Sequence, residues 1–510
     1  MNFKNTAVRF REKEGFAYVF LVLYALILLL WYSYTTSPLY NRIGFDSEIF
    51  KIMGIGILEG KVPYRDLFDH KGPVIFFINA LGQLISPGRA GLFLLQTVSL
   101  SCAFVLIYKI SRLFSSVKKS VAIALLIGLF VTAFGAGGNQ VEEWELPWQL
   151  LSVYLALKYL LGFEKNPIHP PVYTLIYGIC FGIVSFTRLN DGALIAGMMI
   201  GFAVFLILKK QQRQLPLNIA LFLLGWALTA VPILLYFGLN GALSEFFYGS
   251  YTHNFLYAAD QYSLKNVLIH IARLAVLFAV LFFDVIRYRR TERIPVVTGL
   301  VFAALTMGMA FFDHYYLTLL PLFLMALNIV FSFKKSVFVV LMTVLLFLPF
   351  SHFMIVSNGE RFACFVDSSA FSALRLQVKN KNAFRVSIMD DMAEIIPQAE
   401  RSKIWTFNVG TQIIVGFFSQ ELMTTPQNRF FLPFQLKFNP EAAAEERAAF
   451  LSNPPLWILC GFLSPELPET LSAAEDPSGI WNDILTGYEC VYSKPGYDHR
   501  EVAVFLLKKK

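Results

Sequence analysis

Gly15-Phe16-Ala17-Tyr18-Val19-Phe20-Leu21-Val22-Leu23-Tyr24-Ala25-Leu26-Ile27-Leu28-Leu29-Leu30-Trp31-Tyr32-Ser33-Tyr34-Thr35-Thr36 is an apolar and aromatic run with no charged side chain. A bilayer core of about 30 Å takes about 20 such residues as a helix. The run is too long for a signal-peptide core and lacks a small-residue cleavage site, so it is expected to stay as a first membrane span. Further runs of this kind follow at about 91–113, 120–134, 145–161, 172–187, 191–208, 215–238, 264–285, 295–311, 315–332 and 336–356, giving about eleven spans in all. The composition agrees: 56% of the 510 residues are hydrophobic, 16% aromatic and 15% charged, with a mean hydropathy of +0.57. Soluble domains carry roughly 25% charged residues. A soluble enzyme, a secreted disulfide scaffold and a disordered chain are therefore excluded. The net charge of +8 reads as a set of topology signals rather than a nucleic-acid surface.

Lys4, Arg9, Arg11 and Lys13 precede the first run, which predicts a cytoplasmic N-terminus. If each run crosses once and the short apolar stretch at 74–85 does not, the basic clusters at Arg112/Lys118/Lys119, Lys165, Lys209/Lys210/Arg213, Arg287/Arg289/Arg290/Arg293 and Lys334/Lys335 all fall inside. The stretch at 74–85 is then a juxtamembrane or re-entrant helix. The loops 37–72, 135–144, 188–190, 239–263 and 312–314 fall outside. This divides the chain into a membrane module, 1–356, with outer loops 37–72 and 135–144, and an extracytoplasmic domain, 357–510. The domain is expected to be a compact α/β module, with strands at Ile404–Phe407, Leu456–Phe462 and Val502–Leu507 and a helix at Pro440–Leu451. Of the five cysteines, Cys364, Cys460 and Cys490 lie in it, enough for one disulfide and a leftover thiol.

Chemistry is concentrated in the outer loops. Loop one reads Tyr40-Asn41-Arg42-Ile43-Gly44-Phe45-Asp46-Ser47-Glu48, an amphipathic stretch through Ile49, Ile52, Met53 and Gly56, then Pro63-Tyr64-Arg65-Asp66-Leu67-Phe68-Asp69-His70-Lys71-Gly72-Pro73. Such a density of acids and bases at a bilayer surface suits a charged, amphiphilic substrate, although Asp46 alone also reads as a helix cap. Loop two, Gly135-Ala136-Gly137-Gly138-Asn139-Gln140-Val141-Glu142-Glu143-Trp144-Glu145, brings three carboxylates to the mouth of a span. They suit hydroxyl binding, or complement the helix dipole. Arg188-Leu189-Asn190-Asp191 offers an arginine whose planar fork matches phosphate, or a local ion pair with Asp191. His314-Tyr315 opens a Leu- and Pro-rich span, and Phe246–Tyr257 reads as an aromatic interfacial helix.

Taken together, the Asp46/Glu48 pair, the Asp69-His70-Lys71-Gly72-Pro73 element, the second-loop acids, Arg188 and the His314-Tyr315…Pro321 opening resemble the GT-C superfamily of polyprenyl-phosphate-sugar glycosyltransferases. The nearest branch is that of protein O-mannosyltransferases and the lipid A aminoarabinose transferase. The resemblance covers most of 1–356. It departs in having Asp-x-Glu where many relatives have adjacent acids, and Asp-His-Lys-Gly-Pro in place of Glu-Lys-Pro-Pro. It implies an α-helical polytopic GT-C-like fold in the cell membrane and transfer of a hexosyl or pentosyl unit on the extracytoplasmic face. The donor would be a polyprenyl-phosphate-linked sugar and the acceptor a glycolipid, polysaccharide or protein.

The chemistry of such a donor fits these residues. Phosphate is already a competent leaving group, so one carboxylate suffices to deprotonate the acceptor hydroxyl, whereas hydrolases need two flanking acids. Cationic donors must meet the growing phosphate charge. The resemblance makes Asp46 the base and Glu48 a sugar or acceptor contact, with inversion at the anomeric carbon. Lys71, Arg188, Arg65 and His314 are the phosphate candidates, and Asp69, His70, Glu142, Glu143, Asn190 and Tyr315 the sugar or acceptor candidates. No cofactor is expected. Asp46, Glu48 and Glu143 have the chemistry to hold a divalent cation, but relatives in this branch generally work without one. The competing class, a transporter or flippase of lipid-linked glycans, predicts ionisable residues deep within spans; here charge gathers at one interface.

Overall fold

The computed structural model describes residues 3–40, 43–261, 263–287, 291–307, 312–355, 381–409, 412–430, 433–496 and 502–510. Asn41, Arg42, Arg289, Arg290, Cys364 and the 356/357 boundary lie outside them.

Eight described helices are long and apolar enough to cross a bilayer: Glu14–Tyr32, Ala90–Arg112, Val117–Phe134, Leu189–Leu208, Gln212–Leu239, Leu264–Arg287, Asp313–Phe331 and Ser336–Ile355. They make the chain a multi-pass helical membrane protein. In chain order the first nine α-helices are α1 (Phe3–Tyr32), α2 (Asp46–Leu58), α3 (Pro73–Ile85), α4 (Ala90–Arg112), α5 (Val117–Phe134), α6 (Val141–Gly162), α7 (Pro171–Ser185), α8 (Ala193–Leu208) and α9 (Leu215–Leu239). Three expected spans look different. The run at 145–161 extends toward its N-terminus into the 22-residue α6, which takes in Glu142, Glu143 and Glu145 and so is less apolar than the others. The runs at 172–187 and 295–311 give the shorter apolar helices Pro171–Ser185 and Ile294–Thr306.

The chain clusters into two compact units. Unit 1 comprises 1–33, 95–235 and 258–362; unit 2 comprises 34–94, 236–257 and 363–510. Within unit 2, α3 has 13 residues, about 20 Å of helix, too short to span the bilayer core. It packs tightly on α2: a Cβ at Gly54 would lie 2.6 Å from the Ala80 backbone nitrogen and 2.7 Å from the Asn79 carbonyl carbon. Neither backbone atom can swing away. Gly54→Ala is therefore expected to cost about 1–3 kcal/mol, read as a lower thermal midpoint, whereas Gly162→Ala, with nothing within 4 Å, should leave it in place.

The C-terminal part of unit 2 is built on a four-stranded sheet in the order β1-β2-β4-β3, with strands β1 (Ile404–Phe407), β2 (Trp457–Phe462), β3 (Tyr488–Lys494) and β4 (Ala503–Lys509). β1 runs parallel to β2, and β4 is antiparallel to both of its neighbours. The helix Pro440–Ser452 supplies the crossover. It has Pro440 in its first turn and is capped by Asn439, whose side chain accepts from the Ala442 amide at 3.0 Å. Trp405, Phe450, Trp481 and Phe505 form the core. β3 was not read from sequence, because this mostly exposed edge strand is rich in polar residues. Cys460 and Cys490 are both free. β4 lies between their strands, so two spacings of about 4.8 Å separate them, beyond the ~7 Å reach of a disulfide. Cys460 and Cys490 are therefore not paired with each other, and the pairings that involve Cys364 lie outside the described residues.

Candidate functional site

In unit 2 the site residues of loop one gather around the start of α2 and the turn into α3. Asp46 is the first residue of α2; Phe45 holds the cap position, and no side chain caps the helix. Of the two readings of Asp46, capping is thus not the one adopted. The residue is half-buried, at the end of the helix where backbone N–H groups favour negative charge.

Glu48, two residues on, is placed differently from the sugar or acceptor contact expected of it. It is 0% exposed and bridged through both oxygens by Lys51 Nζ at 2.9 and 3.0 Å. Ser419 Oγ donates to the same carboxylate at 2.6 Å. Burial pulls the Lys51 ammonium below its ordinary value, and Glu48 opposes that. Arg89 closes the arrangement, donating to the Tyr40 carbonyl at 3.0 Å, the Tyr34 carbonyl at 3.2 Å and Gln420 Oε1 at 2.6 Å. Lys51, Arg89, Ser419 and Gln420 were not singled out from sequence. The one local signal was the three-residue spacing of Glu48 and Lys51 on a helix.

Asp69, His70 and Lys71 form a second group in this unit. Asp69 is buried, and its carboxylate accepts from the Lys71 amide at 3.3 Å. Burial pushes the Asp69 carboxyl above the usual range; Lys71 opposes this, and the nearby Asp46 charge adds to it. His70 Nε2 lies 3.0 Å from Lys71 Nζ, and its Nδ1 lies 3.5 Å from Asp69 Oδ1. The main chain here is clamped. Tyr64, at φ +68°, donates its hydroxyl to the Lys71 carbonyl at 2.7 Å, and Asn254 Nδ2 donates to the His70 carbonyl at 2.7 Å. The His70 ring stacks on His253 with centroids 5.3 Å apart, so part of the expected interfacial helix supports this group. Arg65 is held away from such work by a two-pronged pair with Asp66, at 2.7 and 2.8 Å, and by the Asn240 carbonyl.

Burial, aided by Lys71, lowers the His253 imidazole from 6.5 to about 4. As pH falls, the unfolded chain takes up this proton first, so the contribution is intact above about 6.5 and lost progressively toward about 4. His253→Phe should therefore lose less of its thermal midpoint than wild type across that window.

In unit 1 the second-loop acids meet Arg188. Its guanidinium lies 2.6 Å from Glu142 Oε1 and 2.7 Å from Asp191 Oδ2, and it stacks 4.0 Å above the Tyr315 ring. Burial opposes its charge, but Asp191 and Glu142 hold it well above the ordinary guanidinium value. Thr318 Oγ1 bridges to Asp191 Oδ1 at 3.4 Å, and His314 Nε2 is 3.8 Å from Glu142. Glu145 is fully buried beside this group. Arg188 is thus already matched by carboxylates. Glu143 is engaged differently: it closes a capping box with Gln140 and accepts from the Tyr32 hydroxyl and, at 3.1 Å, from Gln96. Asn190 is exposed, and its carbonyl accepts from the Ala193 amide and from Thr306 Oγ1 at 3.4 Å.

Comparison with solved structures finds ArnT from Cupriavidus metallidurans bound to undecaprenyl phosphate, with a TM-score of 0.55 and 12% identity over 96% of this chain and 97% of that one. Its apo state gives 0.53 and 11% over the same shares. The archaeal oligosaccharyltransferase AglB from Archaeoglobus fulgidus, in complex with an inhibitory peptide and a dolichol-phosphate, gives 0.50 and 14% over 88% of this chain and 70% of that one. No family model and no curated protein matches the chain. At these identities the likeness is one of fold. It is the fold that these two membrane proteins share with this chain.

Proposed function

We propose that the chain is a membrane glycosyltransferase that moves a sugar from a polyprenyl-phosphate donor to a cell-surface acceptor on the extracytoplasmic face, with inversion. The observation that carries this reading is Asp46, half-buried and close enough for its charge to act on Asp69, in the same compact unit as the clamped Asp69-His70-Lys71 group. The fold likeness to proteins solved with undecaprenyl phosphate or a dolichol-phosphate supports it.

Asp46 takes the proton of the acceptor hydroxyl as that oxygen attacks the anomeric carbon. The bond from that carbon to the phosphate oxygen breaks, and polyprenyl phosphate leaves without a proton donor. Lys71 meets the growing phosphate charge. One of its N–H groups is directed at His70 Nε2, which leaves two for phosphate oxygens. Glu48 and Lys51 fix the first turn of α2 and hence the aim of Asp46. Because carboxylates already balance Arg188, we assign it to holding Glu142 and Asp191 in place. Among the described residues no three His, Cys, Asp or Glu side chains are poised to hold a cation, and no step is routed through one.

The test is release of polyprenyl phosphate from a panel of polyprenyl-phosphate sugars by the purified protein in lipid. Turnover with one donor class is expected, and Lys71→Ala should lower kcat/KM by about 10²-fold. A Lys71→Ala protein with undiminished kcat/KM would remove Lys71 from the phosphate site.

A further inference from the structure

Unit 1 contains a cavity of about 120 Å³ between the first turns of α7, the end of α8 and the start of α9. Phe202, Leu206, Ile219 and Phe222 give it apolar walls, interrupted by the polar side chains of His169, Thr174, Tyr177 and Asn218. His169 Nε2 and the Tyr177 hydroxyl are buried without a hydrogen-bond partner, in side chains 4% and 0% exposed. Thr174 stands about 14 residues before Arg188 along α7 and its extension, roughly 20 Å of helix. The cavity is thus well removed from the Arg188 group of the same unit.

The hydrogen bonds around His169 are compatible with a tautomer that leaves Nε2 free to accept. Thr174 Oγ1 is 3.3 Å from Asn218 Oδ1 and 3.0 Å from His169 Nδ1. A hydroxyl has one proton; given to Asn218, it leaves Thr174 as the acceptor for Nδ1–H. Nε2 then presents a bare lone pair. Burial lowers this imidazole from 6.5 to about 4, so it is neutral at physiological pH. A hydrocarbon chain filling the cavity would leave both polar atoms unmet, and a carboxylate or phosphate would set its own lone pairs against Nε2 within apolar walls. A hydroxyl on an aliphatic chain satisfies both. Ile219 and Leu223 are exposed on α9, which gives such a chain a way out toward lipid.

We propose that this cavity binds an aliphatic or isoprenoid alcohol, whose hydroxyl donates to His169 Nε2 and accepts from Tyr177. The test is the thermal midpoint of the full-length purified protein titrated with 1-decanol, farnesol or decyl methyl ether. A saturable rise is expected with an alcohol and not with the ether, which has no proton to donate. Tyr177→Phe should weaken the apparent alcohol affinity about tenfold, the worth of one such bond, while keeping the ligand-free midpoint. A rise with farnesol alone assigns an isoprenoid, and with decanol alone a straight chain. If alcohols and ether act alike, or neither saturates, water suffices for the two atoms and the proposal falls. As a check independent of stability, a diazirine-bearing decanol should label peptides within 169–223 in wild type and lose that labelling in His169→Leu/Tyr177→Phe; equal labelling of both proteins would also overturn it.

Discussion

Asp46→Asn is expected to slow polyprenyl phosphate release by about 10²–10⁴-fold, the usual worth of a positioned general base, while leaving the fold intact. Stability should barely change, because the side chain caps nothing and the residue is only half-buried. Its favourable placement at the start of α2 is worth only about 0.3–1 kcal/mol. Asparagine keeps the size and loses the proton acceptor. Single-turnover assays with saturating donor, beside a thermal melt, separate the two effects. A variant that melts like wild type and still turns over at the wild-type rate would move the base to another carboxylate.

The second large effect concerns stability. Glu48→Gln strands the Lys51 ammonium at a site that is 0% exposed, and breaking a buried pair by removing one partner typically costs about 3–5 kcal/mol. Lys51→Met should do comparable damage by leaving Glu48 to Ser419 alone. The double variant Glu48→Gln/Lys51→Met removes both charges and is expected to recover much of the loss, as coupled neighbours do. The readout is the thermal midpoint and yield of folded protein for the three variants. If Glu48→Gln melts like wild type, the pair is not what holds α2 in place.

What the sequence made legible was mainly what depends on local composition. Apolar runs mark helices whatever their partners; the short stretch at 74–85 was set apart by the charge count that a full crossing would upset, and it forms the 13 residues of α3. The start of α6 was less legible, because Glu142, Glu143 and Glu145 belong to the helix although they interrupt its apolar pattern. Loop one stood out by charge density, which located Asp46, Asp69 and Lys71 but did not separate Asp46, half-buried, from Glu48, fully buried. That distinction depends on Lys51, which reads as the polar face of an amphipathic helix, and on Ser419, 371 residues away. The Gln140/Glu143 capping box was within reach, since a glutamate three residues after a polar cap is a local signal. Arg89 gave none: a single arginine after Ser86-Pro87-Gly88 looks like any turn residue, and its partners are carbonyls and a distant glutamine.

Unit 2 is stitched from three stretches of chain, and that has a consequence for biosynthesis. At about 5–20 residues per second, the 371 residues from Glu48 to Ser419 take the ribosome roughly 20–75 s. Through that interval loop one has been made but its C-terminal partners have not, and the Lys51–Glu48 pair must wait without the hydroxyl that completes it. Loop one is therefore among the first parts of the chain to be translated and among the last to complete its contacts. A chain ended between Ile355 and Ser419 would carry all eight described span-length helices and a loop one without the Ser419 hydroxyl that completes its buried ion pair.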